Sequence, residues 1–260
     1  SFTLNAGLRY DTTFGLFMAS GHDQSFNPTL AGNGVVSGIP HDYRKAIAPR
    51  LGIAYAPHGS SSTVFRAGAG LYYNDLAQNG WVGAFQALNA APAPCVNPGD
   101  PGCVTSGALI DPNYKTPYAL HASAGLQHAL NENWTLSADW SHEQGNHAYR
   151  GYSYTAGVNL FSPAPNNQVY VPNVDVYRTD NRSTYEAMTI RLQGNARRAS
   201  LTAHYTLASA KRWGWFVGAL FDYVNGVCDP LHAFASGDYG PSGEDVRHRF
   251  VLAGTVRVPY

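Results

Sequence analysis

Trp134-Thr135-Leu136-Ser137-Ala138-Asp139-Trp140-Ser141 decides the fold. Trp134, Leu136, Ala138 and Trp140 fall on one parity, and Thr135, Ser137, Asp139 and Ser141 on the other. A period of two places successive side chains on opposite faces of a β-strand, so this segment presents one apolar and one polar face.

The same pattern recurs on both sides of it. Phe2, Leu4, Ala6, Leu8 and Tyr10 alternate with Thr3, Asn5, Gly7, Arg9 and Asp11. Ile47, Leu51, Ile53 and Tyr55 oppose Ala48, Arg50, Gly52 and Ala54; Phe65, Ala67, Ala69, Leu71 and Tyr73 oppose Arg66, Gly68, Gly70 and Tyr72. Tyr118, Leu120, Ala122, Ala124 and Leu126 stand against His121, Ser123, Gly125 and Gln127. After the deciding segment come Met188, Ile190 and Leu192, then Leu201, Ala203, Tyr205 and Leu207, then Phe250, Leu252, Val256, Val258 and Tyr260. Their polar partners include Arg191, His204, Arg249 and Arg257. Most segments run about 8 to 11 residues, the length of a tilted membrane-crossing strand.

Connector lengths alternate as well. Short links at 57–62, 131–133 and 195–200 separate long ones at 12–46, 74–115, 144–182 and 208–245. Short periplasmic turns and long extracellular loops are the asymmetry of an outer-membrane barrel, so the first strand is expected to run outward and both chain ends to lie on the periplasmic side. Tyr55, Trp134 and Tyr260 sit near the short turns, and Tyr10, Tyr73 and Trp140 toward the long loops, as two aromatic belts would. The central apolar stretches hold no Lys, Arg, Asp or Glu.

The expected fold is therefore all-β: an antiparallel transmembrane β-barrel segment of about eight strands with long extracellular loops, spanning residues 1–260 as a single partial barrel domain. A soluble β-sandwich, such as a secreted carbohydrate-binding protein, also alternates, but its strands are shorter and its loops have no reason to alternate in length. Composition agrees with the membrane reading. Charged residues make up 13% of the 260 residues and aromatics another 13%, whereas a soluble surface calls for roughly 25% charge. The formal net charge is zero, which gives no footprint for nucleic acid. No apolar run reaches the about 20 residues of a transmembrane helix. Ser1-Phe2-Thr3-Leu4 already reads as strand rather than signal peptide, so a mature or truncated piece is expected.

Several stretches resemble TonB-dependent outer-membrane receptors, particularly the Oar-like group with a carboxypeptidase-regulatory-like domain. They are LNAGLRYD at 4–11, APRLGIAYAP at 48–57, TVFRAGAGLYYND at 63–75, TPYALHASAGLQHALNENWTLSADWSHEQGNH at 116–147, STYEAMTIRLQGN at 183–195 and DVRHRFVLAGTVRVPY at 245–260. The resemblance covers nearly every strand and no long loop. It implies a barrel of about 22 strands around a plug, of which eight would be a central or late portion; the glycines of the lumen parity, Gly7, Gly52, Gly68, Gly70 and Gly125, would fill a closed eight-stranded interior poorly and Pro259 reads as entry to another turn, so the first and last strands are expected to expose edges belonging to neighbours. It also implies a location in the outer membrane of a Gram-negative bacterium, contact with outer-membrane lipid, and a role in binding and importing a solute. Plug and TonB would act through parts of the receptor outside these residues. The alternative is a self-contained small barrel serving as adhesin or structural protein.

No enzymatic motif appears. His142-Glu143-Gln144-Gly145-Asn146-His147 has one residue too many for the HExxH zinc motif, and no G-x-S-x-G elbow or phosphate loop is present. No catalytic residue, metal or cofactor is expected. The candidates are binding residues. Arg9, Arg50, Arg66, His121, Asp139, Arg191, His204, Arg249 and Arg257 take the lumen parity, either as a hydrated inner wall or as partners for plug carboxylates and anionic ligands. Trp81, Phe85, Tyr152, Trp213 and Trp215 fall in the long loops, where they either stack on a ligand or pack within the loops and girdle. Cys95 and Cys103 bracket a Pro/Gly-rich turn, and a disulfide there would add about 2 to 3 kcal/mol. Cys228 has no assigned role.

Overall fold

The computed structural model describes residues 1–12, 24–26, 35–37, 44–57, 62–73, 107–110, 115–154, 174–214, 232–243 and 245–258. In chain order the strands are β1 (Phe2–Asp11), β2 (Gln24–Phe26), β3 (Val35–Ser37), β4 (Ala46–Tyr55), β5 (Thr63–Tyr73), β6 (Gly107–Ile110), β7 (Tyr118–Ala129), β8 (Trp134–Tyr154), β9 (Val174–Ala196), β10 (Ala199–Trp213), β11 (Tyr239–Pro241) and β12 (His248–Val256). Eight long ones, β1, β4, β5, β7, β8, β9, β10 and β12, pair antiparallel in sequence order, as the alternation requires. The sheet is not closed: among the described residues, β1 pairs only with β4 and β12 only with β10. Strands β2 and β3 form a separate two-stranded ribbon.

Register preserves face identity from one edge to the other. One row of partners reads Leu4, Ile53, Ala67, Ala124, Trp140, Met188 and Leu207; another reads Asn5, Gly52, Gly68, Ser123, Ser141, Ala187 and Ala208. The apolar row faces out. Leu136 and Trp140 are exposed, whereas Ser137 between them is buried, the inverse of a soluble sheet with an oily core. An apolar face this large and uncovered is what lipid would cover.

Stagger sets the tilt of the strands. The row that leaves Tyr55 and Phe65, beside the first short turn, passes Leu126, Ala138 and Ile190. The next two turns close at Ala129 with Thr135 and Ala196 with Ala199, so the row has climbed three and then six residues above them. Three residues rise about 10 Å while two strand spacings cover about 9.6 Å, so strands whose short turns lie level are tilted by about 45°. That is the tilt of membrane barrels.

Two of the long connectors are shorter than the sequence suggests. The residues expected to loop at 144–182 instead carry the ladder on, β8 running to Tyr154 and β9 starting at Val174; at 208–245, β10 continues to Trp213 and β11 pairs with it. Beyond the apolar band water lies on both faces, so alternation ceases to mark strands that the backbone ladder still forms. The third short link tightens to residues 197–198, and Ala46, expected in a connector, opens β4.

Candidate functional site

The polar face carries a string of side chains across four strands. Arg50 on β4 lies over the Tyr72 ring on β5, 4.2 Å from its centroid. Tyr72 tilts against His121 on β7 at 4.5 Å, and His121 Nε2 stands 3.3 Å from Glu143 Oε2 on β8. Arg50 can lie down because its cross-strand neighbour is Gly70, where a Cβ would meet Arg50 Cγ at 3.0 Å. Its Nε is buried and has no hydrogen-bond partner among the described residues. Below the string, Asn5, Gly52, Gly68, Ser123 and Ser141 make a floor of small groups, and the resulting trough encloses about 580 Å³.

One rung toward the short turns, Arg66 and Asp139 approach to 3.7 Å although β7 runs between their strands. The intervening residue is Gly125, and a Cβ there would collide with Asp139 Oδ1. Both partners are about half exposed, so the pair contributes little stability and mainly fixes charge positions. On the same row Thr189 and Thr206 share a hydroxyl hydrogen bond of 2.9 Å, and the row ends at Arg249. Arg191 and His204 are direct cross-strand partners on β9 and β10. Arg9 is held by Asp11 at 2.7 Å on the edge strand β1. Arg257 lies just past β12, its N–H donating to the Arg198 carbonyl at 2.8 Å. The structure thus gathers Arg50, Arg66, His121 and Asp139, and leaves Arg9 and Arg257 apart from them.

A second constellation sits at the long-connector end. Arg150 on β8 is wholly buried; its Nη2 donates to Asp238 Oδ2 at 3.0 Å, its Nη1 donates to the Ala233 carbonyl, and the Phe234 ring lies 5.1 Å from the guanidinium carbon. Tyr152 is also wholly buried and donates to Asp180 Oδ2 at 2.7 Å. Burial first, and the Asp180 carboxylate second, push the Tyr152 phenol well above its ordinary range. The Arg178 guanidinium covers its ring at 4.4 Å. Asn181 donates to the Trp213 carbonyl, and Trp213 packs edge-on against Phe234 at 5.4 Å and against Tyr239 at 5.0 Å.

This corrects the reading of Tyr152 and Trp213 as loop aromatics. Both belong to strands; Tyr152 is sealed in the packing that fastens residues 232–243 onto β8 and β9, and Trp213 lies against that same segment. Trp81, Phe85, Trp215, Cys95 and Cys103 lie outside the described residues. Sequence reasoning missed Arg150 and Asp238, which are 88 residues apart and carry no local signal. It also missed a polar knot at the apolar boundary: Glu186 accepts from Trp140 Nε1 at 3.0 Å and lies 2.5 Å from His142 Nδ1. His142 and His147 of the near-zinc sequence part company there, His147 turning to the Thr179 carbonyl at 3.1 Å.

The sequence matches, over residues 1–260, the family described as outer membrane beta barrel domain. Among solved structures it is similar to the FrpB iron transporter from Neisseria meningitidis (F3-3 variant), with 12% identity and a TM-score of 0.47 over 81% of this chain and 24% of that one. It is also similar to the outer membrane transporter YddB from Escherichia coli, with 14% identity and a TM-score of 0.44 over 66% of this chain and 21% of that one. The chain therefore spans about a quarter or less of the length of these structures. No curated protein matches it.

Proposed function

We propose a role in solute import from one premise: the chain belongs to the outer membrane beta barrel domain family. Its apolar face meets outer-membrane lipid, and its short turns take the periplasmic side. The observation that carries the proposal is the open, staggered sheet. In hydrocarbon each unsatisfied N–H or C=O costs several kcal/mol, and the outer edges of Phe2–Asp11 and His248–Val256 would expose a whole row of them. Strands beyond these residues would cover both edges, and more strands make a wider barrel. The polar face suits a wide lumen, since its glycine and serine floor leaves a trough where a small barrel needs side chains to fill the interior.

Taken with the resemblance to TonB-dependent receptors, this makes the chain a portion of a receptor barrel that binds a solute outside and passes it inward. A plug gates passage and TonB supplies the energy. The work is binding and gating, without covalent chemistry. Arg50, Tyr72, His121 and Glu143 offer the lumen a cation, an aromatic face and a carboxylate in sequence along the wall.

Capture of the intact outer-membrane protein by an immobilised TonB periplasmic domain tests the proposal, and capture is the expected result. The opposing outcome is a refolded 260-residue polypeptide that migrates as a heat-modifiable, protease-resistant monomer. That would make the chain a closed small barrel.

A further inference from the structure

The apolar face has a defined upper limit. Phe2 to Tyr10, Phe65 to Tyr73 and Trp134 to His142 each span eight steps of strand, about 19 Å of membrane normal at a tilt of about 45°. With side chains added this approaches the roughly 25 Å apolar band of outer-membrane barrels. The upper boundary therefore runs through Tyr10, Tyr73, His142 with Glu186, and His248, and Tyr118 touches Tyr73 at 5.8 Å. Asn146 and Arg182, cross-strand partners on the same outward parity, lie four residues beyond His142 and Glu186, about 9 Å higher, and Tyr118 is the partner of Asn146 on β7. That is the depth of lipid headgroups, not of hydrocarbon.

A cleft of about 460 Å³ opens at this level. Tyr118, Asn146 and Arg182 line it together with Lys115, Arg178 and His147. It faces outward: the Tyr118 ring stands between Tyr73 of the girdle and His147, 5.7 Å away. His147 occupies a β-bulge with φ 56°, a backbone state a non-glycine residue rarely adopts, and the bulge turns its ring onto Tyr118. The charges are lopsided. Among the described residues that line it, three permanent cations face one carboxylate, Asp180, which the Tyr152 hydroxyl already engages at 2.7 Å. Glu186, the next acid below, is taken up by Trp140 and His142. Lys115 and Arg182 are exposed, and Arg182 keeps the outward parity of β9.

We infer that this cleft binds the phosphate of an outer-leaflet lipid headgroup, whose acyl chains run down the apolar face beneath the tyrosine girdle. Position selects the lipid over a soluble anion: Arg182 and Asn146 continue the outward parity of β8 and β9, directly above the hydrocarbon-facing residues of the same strands. Guanidinium and ammonium donors match phosphate oxygens. The inference rests on the membrane setting and not on solute import, so it survives if the import reading fails.

The test is native mass spectrometry of the intact protein in detergent, titrated with phosphatidic acid or with phosphatidylcholine. Preferential retention of phosphatidic acid is expected. The paired change Lys115→Ala and Arg182→Ala should weaken it by about 30-fold at low salt, from two basic groups near an anionic headgroup. Lys115→Arg with Arg182→Lys should retain it. A charge-matched control at the periplasmic turn, Arg197→Ala with Arg198→Ala, should leave it unchanged. Equal retention of the two lipids, no loss in the paired variant, or an equal loss in the control overturns the inference. Displacement of phosphatidic acid by inorganic phosphate at matching concentration also overturns it, by showing a site for the free anion.

Discussion

Replacing Arg150 with methionine tests what fastens residues 232–243 to the barrel rim. Arg150 is wholly buried and the Asp238 side chain is 2% exposed, so Arg150→Met keeps the volume and strands a carboxylate away from water. Removing one partner of a buried ion pair costs about 3 to 5 kcal/mol, chiefly for the charge left behind. Asp238→Asn should cost somewhat less, because Arg150 retains the Ala233 carbonyl and the Phe234 ring face. The double variant leaves neither charge, and its cost should fall short of the sum by about 2 kcal/mol or more.

Amide hydrogen exchange in the intact protein reads this locally. The Gly214 N–H donates to the Asp238 carbonyl at 2.7 Å and the Asp238 N–H to the Ala235 carbonyl at 2.9 Å, so both report on whether the segment is seated. Their protection should fall by about 100-fold or more in Arg150→Met. Amides in the central stretches of β7, β8 and β9 should not change. Unchanged exchange at Gly214 and Asp238, or costs that simply add in the double variant, would refute the view that this pair holds the segment down.

Two further predictions follow from parity and from titration. Ala138→Arg places a cation at mid-band on the lipid face, costing about 2 to 4 kcal/mol and blocking assembly, while Ser123→Arg on the polar face should assemble normally; heat-modifiable migration of membrane extracts separates the two, and equal behaviour would contradict the facing. Tyr152 has a raised folded pKa, so its contribution is complete below the ordinary phenol value of 10.0 and declines as pH climbs past that toward the folded value. Protection at Gly214, taken relative to the intrinsic base-catalysed rate, should therefore fall above about pH 10 in the parent and not in Tyr152→Phe.

The membrane strands were legible because each has lipid on one side and water on the other, which writes a period of two into the residues. That signal located all eight long strands, their pairing order and the level of their short turns. It vanished above the boundary. Gln144-Gly145-Asn146-His147-Ala148-Tyr149-Arg150-Gly151 has water or protein on both sides, so its residues look like loop while its backbone continues the ladder to Tyr154. The arginines of the polar parity could be picked out as a set, since parity alone selects them. Their partners were not: Arg66 reaches Asp139 only because the residue between them is Gly125, a relation that exists in register and not in sequence spacing.

The boundary divides the chain into regions held by different forces. Within the band, backbone ladders and the cost of leaving them in hydrocarbon fix the sheet, so side chains on the polar face are spared for the lumen. This is why that face can carry glycines, half-exposed charges and a buried Arg50 Nε that has no partner among the described residues. Above the band, water competes for every backbone group and the ladder alone no longer suffices. There the chain spends its buried charges and aromatics, Arg150 with Asp238, Tyr152 with Asp180, Trp213 on Phe234, on holding β8, β9 and the segment before β12 together. The slip at His147 marks the change of regime: the two strands shift register there and regain it at Arg150 and Arg178, the regular outward row is interrupted past Asn146 and Arg182, and the cationic cleft opens at that break. A variant that removes the first slip, His147 deleted so that Asn146 and Ala148 become neighbours, should therefore close the cleft while the membrane strands below still assemble, the second slip before Arg150 remaining above it. Loss of phosphatidic acid retention with normal heat-modifiable migration is the expected result. Retained lipid selectivity would show that the cations act without the bulge and would sink this account of how the cleft is made.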